Sequence, residues 1–150
     1  GIDALFIEDW IGGDRGQRDG HKVYSLWDSY VFADLVTYPS IWEGWGNQLL
    51  EALKARLPVV LYEYPIYEED IKPRGFDCIS LGNQLSGKDT LGLVQVPAVV
   101  IEHCADKAVV VLSDAEVRRV MVEKNHQIAK QWYSMEALHG YLANLLAQFD

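Results

Sequence analysis

The chain has 150 residues, of which 49% are hydrophobic and 23% charged, so it can bury a sizeable core and we expect one folded domain over residues 1–150. With 22 acidic against 13 basic residues, the formal net charge of −9 disfavours nucleic acid and anionic membrane surfaces as partners. No apolar run reaches the roughly 18 residues of a membrane span, and the first residues do not resemble an export signal.

The cysteines and histidines match no metal or disulfide motif. Cys78 and Cys104 lie far apart, without C-x-x-C spacing, so we expect two free structural thiols and a cytoplasmic location. The four histidines form none of the HxH, HxxxH or HExxH spacings. The sequence therefore predicts no metal site.

The first elements are predicted to be a strand, a helix and a strand. The apolar run at 4–7 indicates a strand, and the glycine-rich, charged stretch at 12–20 indicates a long exposed loop. Apolar side chains recur at helical spacing over 24–32, where Ser25 can cap the helix. Residues 34–38 then indicate a buried strand that a proline ends.

A second helix and two further strands follow. The segment 47–55 places leucines on one face and predicts a helix with Asn47 as its N-cap. The near-continuous apolar run at 58–62 is typical of a strand buried on both faces of a parallel sheet. Residues 76–81 indicate one more strand. This alternation predicts a doubly wound α/β layer.

The last third of the sequence has helical character. Residues 113–116 form a capping-box pattern that opens one amphipathic helix, and Ser134 opens another. The β-branched runs at 98–101 and 108–112 favour strands by local propensity, an interpretation we leave open. The resulting division is an α/β part at about 1–104 and a helical tail at about 105–150.

The loop at 40–46 is the candidate ligand site. Ligands of open α/β sheets bind at the carboxyl ends of the strands, where loops enter helices. Gly44 and Gly46 allow close approach of backbone to a ligand, and the N–H groups at the helix start suit a phosphate or sugar oxygen. Glu43 and Glu51 can accept hydrogen bonds from vicinal hydroxyls. Spacing alone leaves a plain glycine turn with a solvated glutamate equally open.

A resemblance favours the ligand site. The runs at 33–40 (ADLVTYPS), 43–52 (EGWGNQLLEA) and 58–60 (PVV) resemble the signature of the group 1 (family 4) glycosyltransferases of GT-B fold. That signature contains two glutamates with seven residues between them, as Glu43 and Glu51 have here. Several elements in the right order make the match specific.

The resemblance extends over most of the chain. The segments 24–28 and 71–77 are similar to the sucrose-phosphate-synthase-like branch, and the helical tail also fits. The implied fold is the C-terminal, donor-binding lobe: a parallel Rossmann-like sheet flanked by helices, truncated at its N-terminal side. The implied partners are a nucleotide-sugar and a missing N-terminal acceptor domain, so this fragment alone is expected to be inactive.

Residue roles follow from the same resemblance. Glu43 would lie beside the donor sugar and the reacting centre, and Glu51 would bind the ribose hydroxyls. The backbone amides that would meet the sugar hydroxyls are those of Gly44, Trp45, Gly46 and Asn47, and those that would meet the diphosphate are Gln48 and Leu49. The implied reaction is retaining transfer from a nucleoside-diphosphate sugar without metal or cofactor. The resemblance also places 107–112 in a helix, against the local propensity.

Several side chains keep a less specific interpretation. The family's diphosphate-binding Arg and Lys have no clear match, and we expect the basic residues of the glycine-rich loop, Arg15, Arg18 and Lys22, to be solvated. Trp42 and Trp45 could line the sugar pocket or pack as anchors, and both interpretations stay open. Asp70 and Lys72 could line the cleft or be surface charges, and we favour the surface.

Two other functions fit parts of the pattern. A non-catalytic module of the same fold would bind a nucleotide or a protein without transfer chemistry. A Rossmann dehydrogenase fragment would need a GxGxxG motif that opens a helix after the first strand, and the sequence lacks one there. We therefore favour the donor-binding part of a glycosyltransferase.

Overall fold

The computed structural model describes residues 2–149, and the chain divides between Ala33 and Asp34 into two compact units. The first unit holds a small mixed sheet and a short helix, and the second holds a parallel sheet, a hairpin and longer helices. That residues 1–150 form a single domain stays a prediction.

The sheet of the first unit has three strands in the order β1–β3–β2. These strands are β1 (Ile11–Gly12), β2 (Gly16–Arg18) and β3 (His21–Ser25). β1 runs parallel to β3, whereas β2 and β3 form an antiparallel hairpin. Its two-residue turn has positive φ at Asp19 (52°) and Gly20 (78°), the pattern that matches the twist of paired strands.

Two predictions for this unit were wrong. The stretch 12–20 is not a loop throughout, because its Asp-Gly pair closes the hairpin. Residues 4–7 form no strand, and Leu5 and Phe6 are exposed. The strand beside β3 instead contains Ile11, which lies opposite Tyr24 in the register. An apolar run forms a strand only where a neighbouring strand can hydrogen-bond to its backbone.

Ser25 caps α1 (Leu26–Tyr30) as predicted, although this helix is shorter than 24–32. The Ser25 backbone N–H donates to the Asp28 carboxylate at 2.9 Å. The Arg15 guanidinium also pairs with that carboxylate. Hydrogen bonding from Arg15 holds the pKa of Asp28 well below its usual range.

The second unit is built on a parallel sheet in the order β4–β5–β6, which confirms the predicted α/β class. Its strands are β4 (Val36–Tyr38), β5 (Val59–Leu61) and β6 (Ile79–Ser80). The register sets Val36 opposite Val59 and Val60 opposite Ile79. Each strand lies within a segment predicted to be a strand.

Helix α2 (Asn47–Lys54) connects β4 to β5 and begins one residue earlier than a cap at Asn47 requires. Gly46 is the N-cap, with φ of 82°, and Asn47 is the first helical residue. The predicted N-cap was wrong because a left-handed turn, which glycine adopts without strain, leads the chain into the helix. The buried face of α2 consists of Leu49, Ala52 and Leu53.

Short elements lie between and beyond the last two strands of this sheet. β5 leads through a π-helical turn (Tyr67–Ile71) and a 3-10 turn (Lys72–Arg74) to β6. After β6 the chain forms a small antiparallel hairpin of β7 (Gly87–Lys88) and β8 (Val94–Gln95), which was not predicted.

Helix α3 (Ala98–Ser113) replaces the strands that local propensity favours at 98–101 and 108–112. The strand interpretation was wrong, and the helix implied by the family resemblance was right. α3 buries Cys104 and Val111, two turns apart, on one face. Packing of that face outweighs the modest strand preference of its valines. The helical part therefore starts before residue 105.

Two more helices close the described chain. α4 (Ala115–Tyr133) begins after Asp114, whose carboxylate accepts two amide hydrogen bonds of 2.9 and 3.1 Å. The predicted opening at Ser113 was one residue early, because Ser113 is the last residue of α3. α5 (Met135–Leu146) begins after Ser134, whose side chain caps it as predicted.

The helices cover the parallel sheet and each other. α2 packs on β4, β5 and α4; α3 packs on β6 and α4; and α5 packs on α4. The larger core cluster contains Tyr38, Leu49, Ala52, Leu53, Val59, Leu61, Tyr64, Tyr67 and Ile71. A smaller cluster under α3 contains Ile79, Cys104, Val111 and Met121. Over residues 2–149, no helix is long and apolar enough to cross a membrane.

Candidate functional site

The candidate site lies where β4 ends and the chain turns into α2. The loop that joins them carries Glu43 and the glycines at 44 and 46, and α2 carries Glu51 on its second turn. Because β4, β5 and β6 are parallel, their carboxyl ends share this edge of the sheet. The structure therefore brings the predicted residues together at the expected place.

The start of α2 presents backbone donors. Asn47 and Gln48 are exposed in the first turn, where N–H groups have no partner within an α-helix and the dipole favours negative charge. The Leu49 amide instead donates to the Gly46 carbonyl at 3.0 Å, and the Leu49 side chain is buried. Of the amides predicted to bind the donor, that of Leu49 is the least available to a ligand, because it already donates within the protein.

Two buried tyrosines lie beneath the loop. The Tyr64 hydroxyl donates to the Trp45 carbonyl at 3.3 Å, and the Tyr38 and Tyr64 rings meet edge to face with centroids 6.1 Å apart. A Cβ atom at Gly46 would overlap the Tyr64 hydroxyl oxygen and lie 3.4 Å from that of Tyr38. Only glycine fits here, both for its backbone angles and for its size.

Glu43 is half-buried and interacts with both tyrosines. The Tyr38 hydroxyl donates to Gln48 Oε1 at 3.5 Å. Burial, followed by the neighbouring Glu43 carboxylate, raises the pKa of Tyr38. Burial and the same charge raise the pKa of Tyr64 to about 12. Both phenols therefore stay protonated and able to donate at neutral pH.

The two tryptophans of the loop differ in environment. Trp45 packs edge-on against Tyr133, with ring centroids 4.7 Å apart, and keeps 38% of its surface exposed. Trp42 is 77% exposed. Trp45 is therefore a packing anchor with one open side, and Trp42 projects into solvent.

A second polar cluster occupies the carboxyl ends of β5 and β6. The buried Glu63 carboxylate accepts hydrogen bonds from Lys72 Nζ at 2.6 Å and from Ser80 Oγ at 2.7 Å. Ser80 Oγ in turn accepts the Gly82 amide at 2.9 Å. Lys72 is exposed, as expected of a surface charge, and its ammonium also neutralises this buried carboxylate. Asp70 is exposed, as expected.

Sequence reasoning missed the tyrosines and Glu63. Tyr38 and Tyr64 sit among apolar neighbours, where an aromatic residue usually indicates core, and only the folded chain shows their hydroxyls under the loop. For Glu63, the signal in the sequence was an acid directly after a buried strand. Carboxyl ends of parallel strands are where such groups meet.

The basic residues of the first unit are exposed, as expected. Arg15 is paired with Asp28, and Lys22 Nζ lies 4.6 Å from the centroid of the Tyr24 ring. Arg18 lies on the exposed strand β2. Their contacts support the interpretation as surface residues.

Thiol and metal chemistry find no support among residues 2–149. No group of three or more His, Cys, Asp and Glu side chains could hold a metal ion in this part of the chain. Cys78 and Cys104 are free thiols, and burial raises the pKa of Cys78 to about 12. An un-ionised thiol is a poor nucleophile. Independence from metal stays a prediction.

Comparison with known proteins identifies the segment that contains this site. Residues 15–76 match the family described as glycosyl transferases group 1. This segment is similar to the group 1 glycosyltransferases. It includes the loop from β4 and all of α2, so every predicted site residue lies within the matched range.

Two curated proteins resemble the chain. Mannosylglucosylglycerate synthase of Thermotoga maritima is 43% identical over 118 residues, which is 79% of this chain and 27% of that protein. Mannosylglucosylglycerate synthase of Petrotoga mobilis is 52% identical over 71 residues, which is 47% of this chain and 16% of that protein. The chain thus spans about a quarter or less of these relatives. No solved structure matches it significantly.

Proposed function

We propose that this chain is the donor-binding part of a retaining glycosyltransferase that transfers a sugar from a nucleoside-diphosphate sugar to an acceptor. The observation that carries the proposal is the placement of Glu43 and Glu51 on either side of the Gly46 turn, at the carboxyl edge of a parallel sheet. The match of residues 15–76 to the group 1 glycosyltransferases supports sugar transfer as the chemistry.

Each part of the site has a role in such a reaction. A diphosphate gains negative charge as its bond to the sugar breaks, and the N–H group of Gln48 at the start of α2 would stabilise that charge, while that of Asn47 would meet a sugar hydroxyl. The Glu43 carboxylate would favour the positive charge that develops on the sugar carbon. Glu51 would accept hydrogen bonds from the ribose hydroxyls. Gly44 and Gly46 would leave room for the sugar.

The acceptor and the compartment are proposed on separate grounds. The relatives are named for making mannosylglucosylglycerate. We extend this product class to the present protein as hexosyl transfer to an acceptor that carries a sugar and a carboxylate. Acceptor contacts would come from sequence outside these 150 residues. The two free thiols support a reducing, cytoplasmic location.

Calorimetry with the full-length protein that carries this chain tests the proposal. UDP-, GDP- and ADP-sugars are titrated separately, and we expect one class to bind. Incubation of that donor with acceptor should give a product whose anomeric configuration, read by NMR, equals that of the donor, with turnover unchanged by a metal chelator. A folded protein that binds none of the three contradicts the donor site. Binding without transfer would indicate a non-catalytic module.

A further inference from the structure

We propose that Tyr38 and Tyr64 are positioning residues that fix the Gly46 amide and the first turn of α2 in the arrangement that receives the donor sugar. This inference rests on the proposed function. Neither tyrosine belongs to the segment between Glu43 and Glu51, and neither would touch the substrate. Their effect is transmitted through the loop above them.

The two side chains are rigid supports. Tyr64 is fully buried and Tyr38 is 9% exposed, and both belong to the larger core cluster. Tyr38 ends β4, and its carbonyl accepts the Tyr62 amide at 3.2 Å, so its backbone is tied to the neighbouring strand. A buried ring packed edge-on against another has little freedom to move. The hydroxyls are therefore fixed points under a loop.

Tyr64 determines the direction of one backbone donor. Its hydroxyl holds the carbonyl of Trp45 at 3.3 Å, toward the core. The described chain has no cis peptide bonds, and in a trans peptide the N–H points opposite to the C=O. The N–H of Gly46 belongs to the same peptide unit as the Trp45 carbonyl. It is therefore aimed away from the core, toward the open side of the loop.

Tyr38 supports the start of α2 beside the same loop. Its hydroxyl donates to Gln48 Oε1 at 3.5 Å, and a side chain held by a buried donor loses freedom before substrate arrives. Both hydroxyls also border Gly46, where they leave no space for a side chain. One pair of phenols thus supports both the Gly46 amide and the first turn of α2.

The test is a set of three Tyr→Phe variants in the full-length protein. Tyr38→Phe and Tyr64→Phe each remove one hydroxyl and keep the ring. Tyr62→Phe is the matched control, because Tyr62 is also buried and its hydroxyl donates to a backbone carbonyl, that of Asn83, at 2.6 Å. For each variant we measure Tm, kcat, the donor KM and donor affinity by calorimetry.

A positioning role for the tyrosines and a purely stabilising role predict different kinetic results. If the tyrosines position the loop, Tyr38→Phe and Tyr64→Phe lower kcat by about tenfold or more with donor KM changed by less than about threefold, because alignment counts most in the transition state. Tyr62→Phe then keeps wild-type kcat at a similar loss of Tm. Equal kcat in all three variants, or losses of kcat that simply follow Tm, would overturn the inference.

Failure of the proposed function gives a different result from failure of this inference. If wild-type protein binds no nucleotide-sugar, the donor site itself is wrong and the kinetic comparison has no substrate. An NMR comparison of the Gly46 amide is then the readout. A shift in Tyr64→Phe that is absent in Tyr62→Phe supports positioning of the loop, and an unchanged Gly46 resonance overturns it.

Discussion

The Asn125 side chain joins α4 to the backbone of Asp77, two residues before β6. Asn125 Oδ1 accepts the Asp77 N–H and Asn125 Nδ2 donates to the Asp77 carbonyl, each at 2.7 Å. Asn125 is 1% exposed, so both backbone groups of Asp77 rely on this one amide where water has little access. This double hydrogen bond fixes the approach to the last strand of the parallel sheet.

Replacing Asn125 with alanine is expected to destabilise the second unit by about 2 to 4 kcal/mol, because two buried backbone groups lose their partner. Hydrogen exchange of peptides that cover β6 and α4 in the full-length protein measures this loss. Gln127→Ala on the same helix is the control: Gln127 is exposed, and its loss should cost no more than about 0.5 kcal/mol. Equal hydrogen-exchange protection of β6 and α4 in the two variants would contradict this role of Asn125.

Gly46→Ala is expected to cost about 1 to 3 kcal/mol and to abolish detectable donor binding. The new Cβ atom meets the Tyr64 hydroxyl, and a φ of 82° strains any other L-residue. Gly44→Ala is the stability control, since a Cβ atom there has nothing within 4 Å. Hydrogen exchange of α2 and calorimetry are the measurements. Similar exchange of α2 in both variants would mean that the turn tolerates a side chain.

Glu51→Gln is expected to weaken nucleotide-sugar affinity by about 1 to 3 kcal/mol, because a charge-assisted contact to the ribose becomes a neutral one. Calorimetry of the full-length protein gives the affinity. The charge-matched control is Glu69→Gln in the π-helical turn, where the side chain is exposed. If both variants bind as tightly as the wild type, Glu51 does not contact the donor.

Alkaline pH is expected to destabilise the fold through its buried thiol and phenols. Burial raises the pKa of Cys78 from 9.0 to about 12 and that of Tyr64 from 10.0 to about 12. Above pH 9 the unfolded chain releases protons that the folded chain keeps, so stability is full below pH 9 and falls as pH rises toward 12. The slope is up to about 1.4 kcal/mol per pH unit for each group.

Urea unfolding of the full-length protein at pH 8, 9 and 10, with reductant present, measures this slope. Cys78→Ala removes the thiol and should flatten the change between pH 9 and 10, whatever its effect on stability at pH 8. A variant that keeps the wild-type slope would show that this thiol ionises as easily in the folded chain as in the unfolded one.

The parallel sheet was predictable from sequence, whereas α3 was not. Strands buried on both faces of a parallel sheet consist of continuous apolar runs. The apolar run at 58–62 is short and is followed by a turn, which suits a strand and no other element, and it contains β5. The valines of α3 prefer strands locally. They are helical because Cys104 and Val111 pack on the smaller core cluster, a contact between distant residues that no local window contains.

The candidate site, too, could be predicted only in part from the sequence. Glu43, Gly46 and Glu51 are close in sequence, so spacing and resemblance together located them. Tyr64 and Glu63 reach the same edge only after the chain has passed through α2 and β5. Their importance follows from contacts, such as that between Tyr64 and Trp45, which depend on the register of β4 against β5.

The absence of room above Tyr64 has an evolutionary consequence. A side chain at position 46 requires both a smaller residue at 64 and a different entry into α2, and a smaller residue at 64 alone leaves a void under the loop. A change at either position alone is therefore expected to be unfavourable, and we expect the two positions to change together. Sequences that descend from this one should drift freely at Trp42, which is exposed, while Gly46 and Tyr64 persist as a pair.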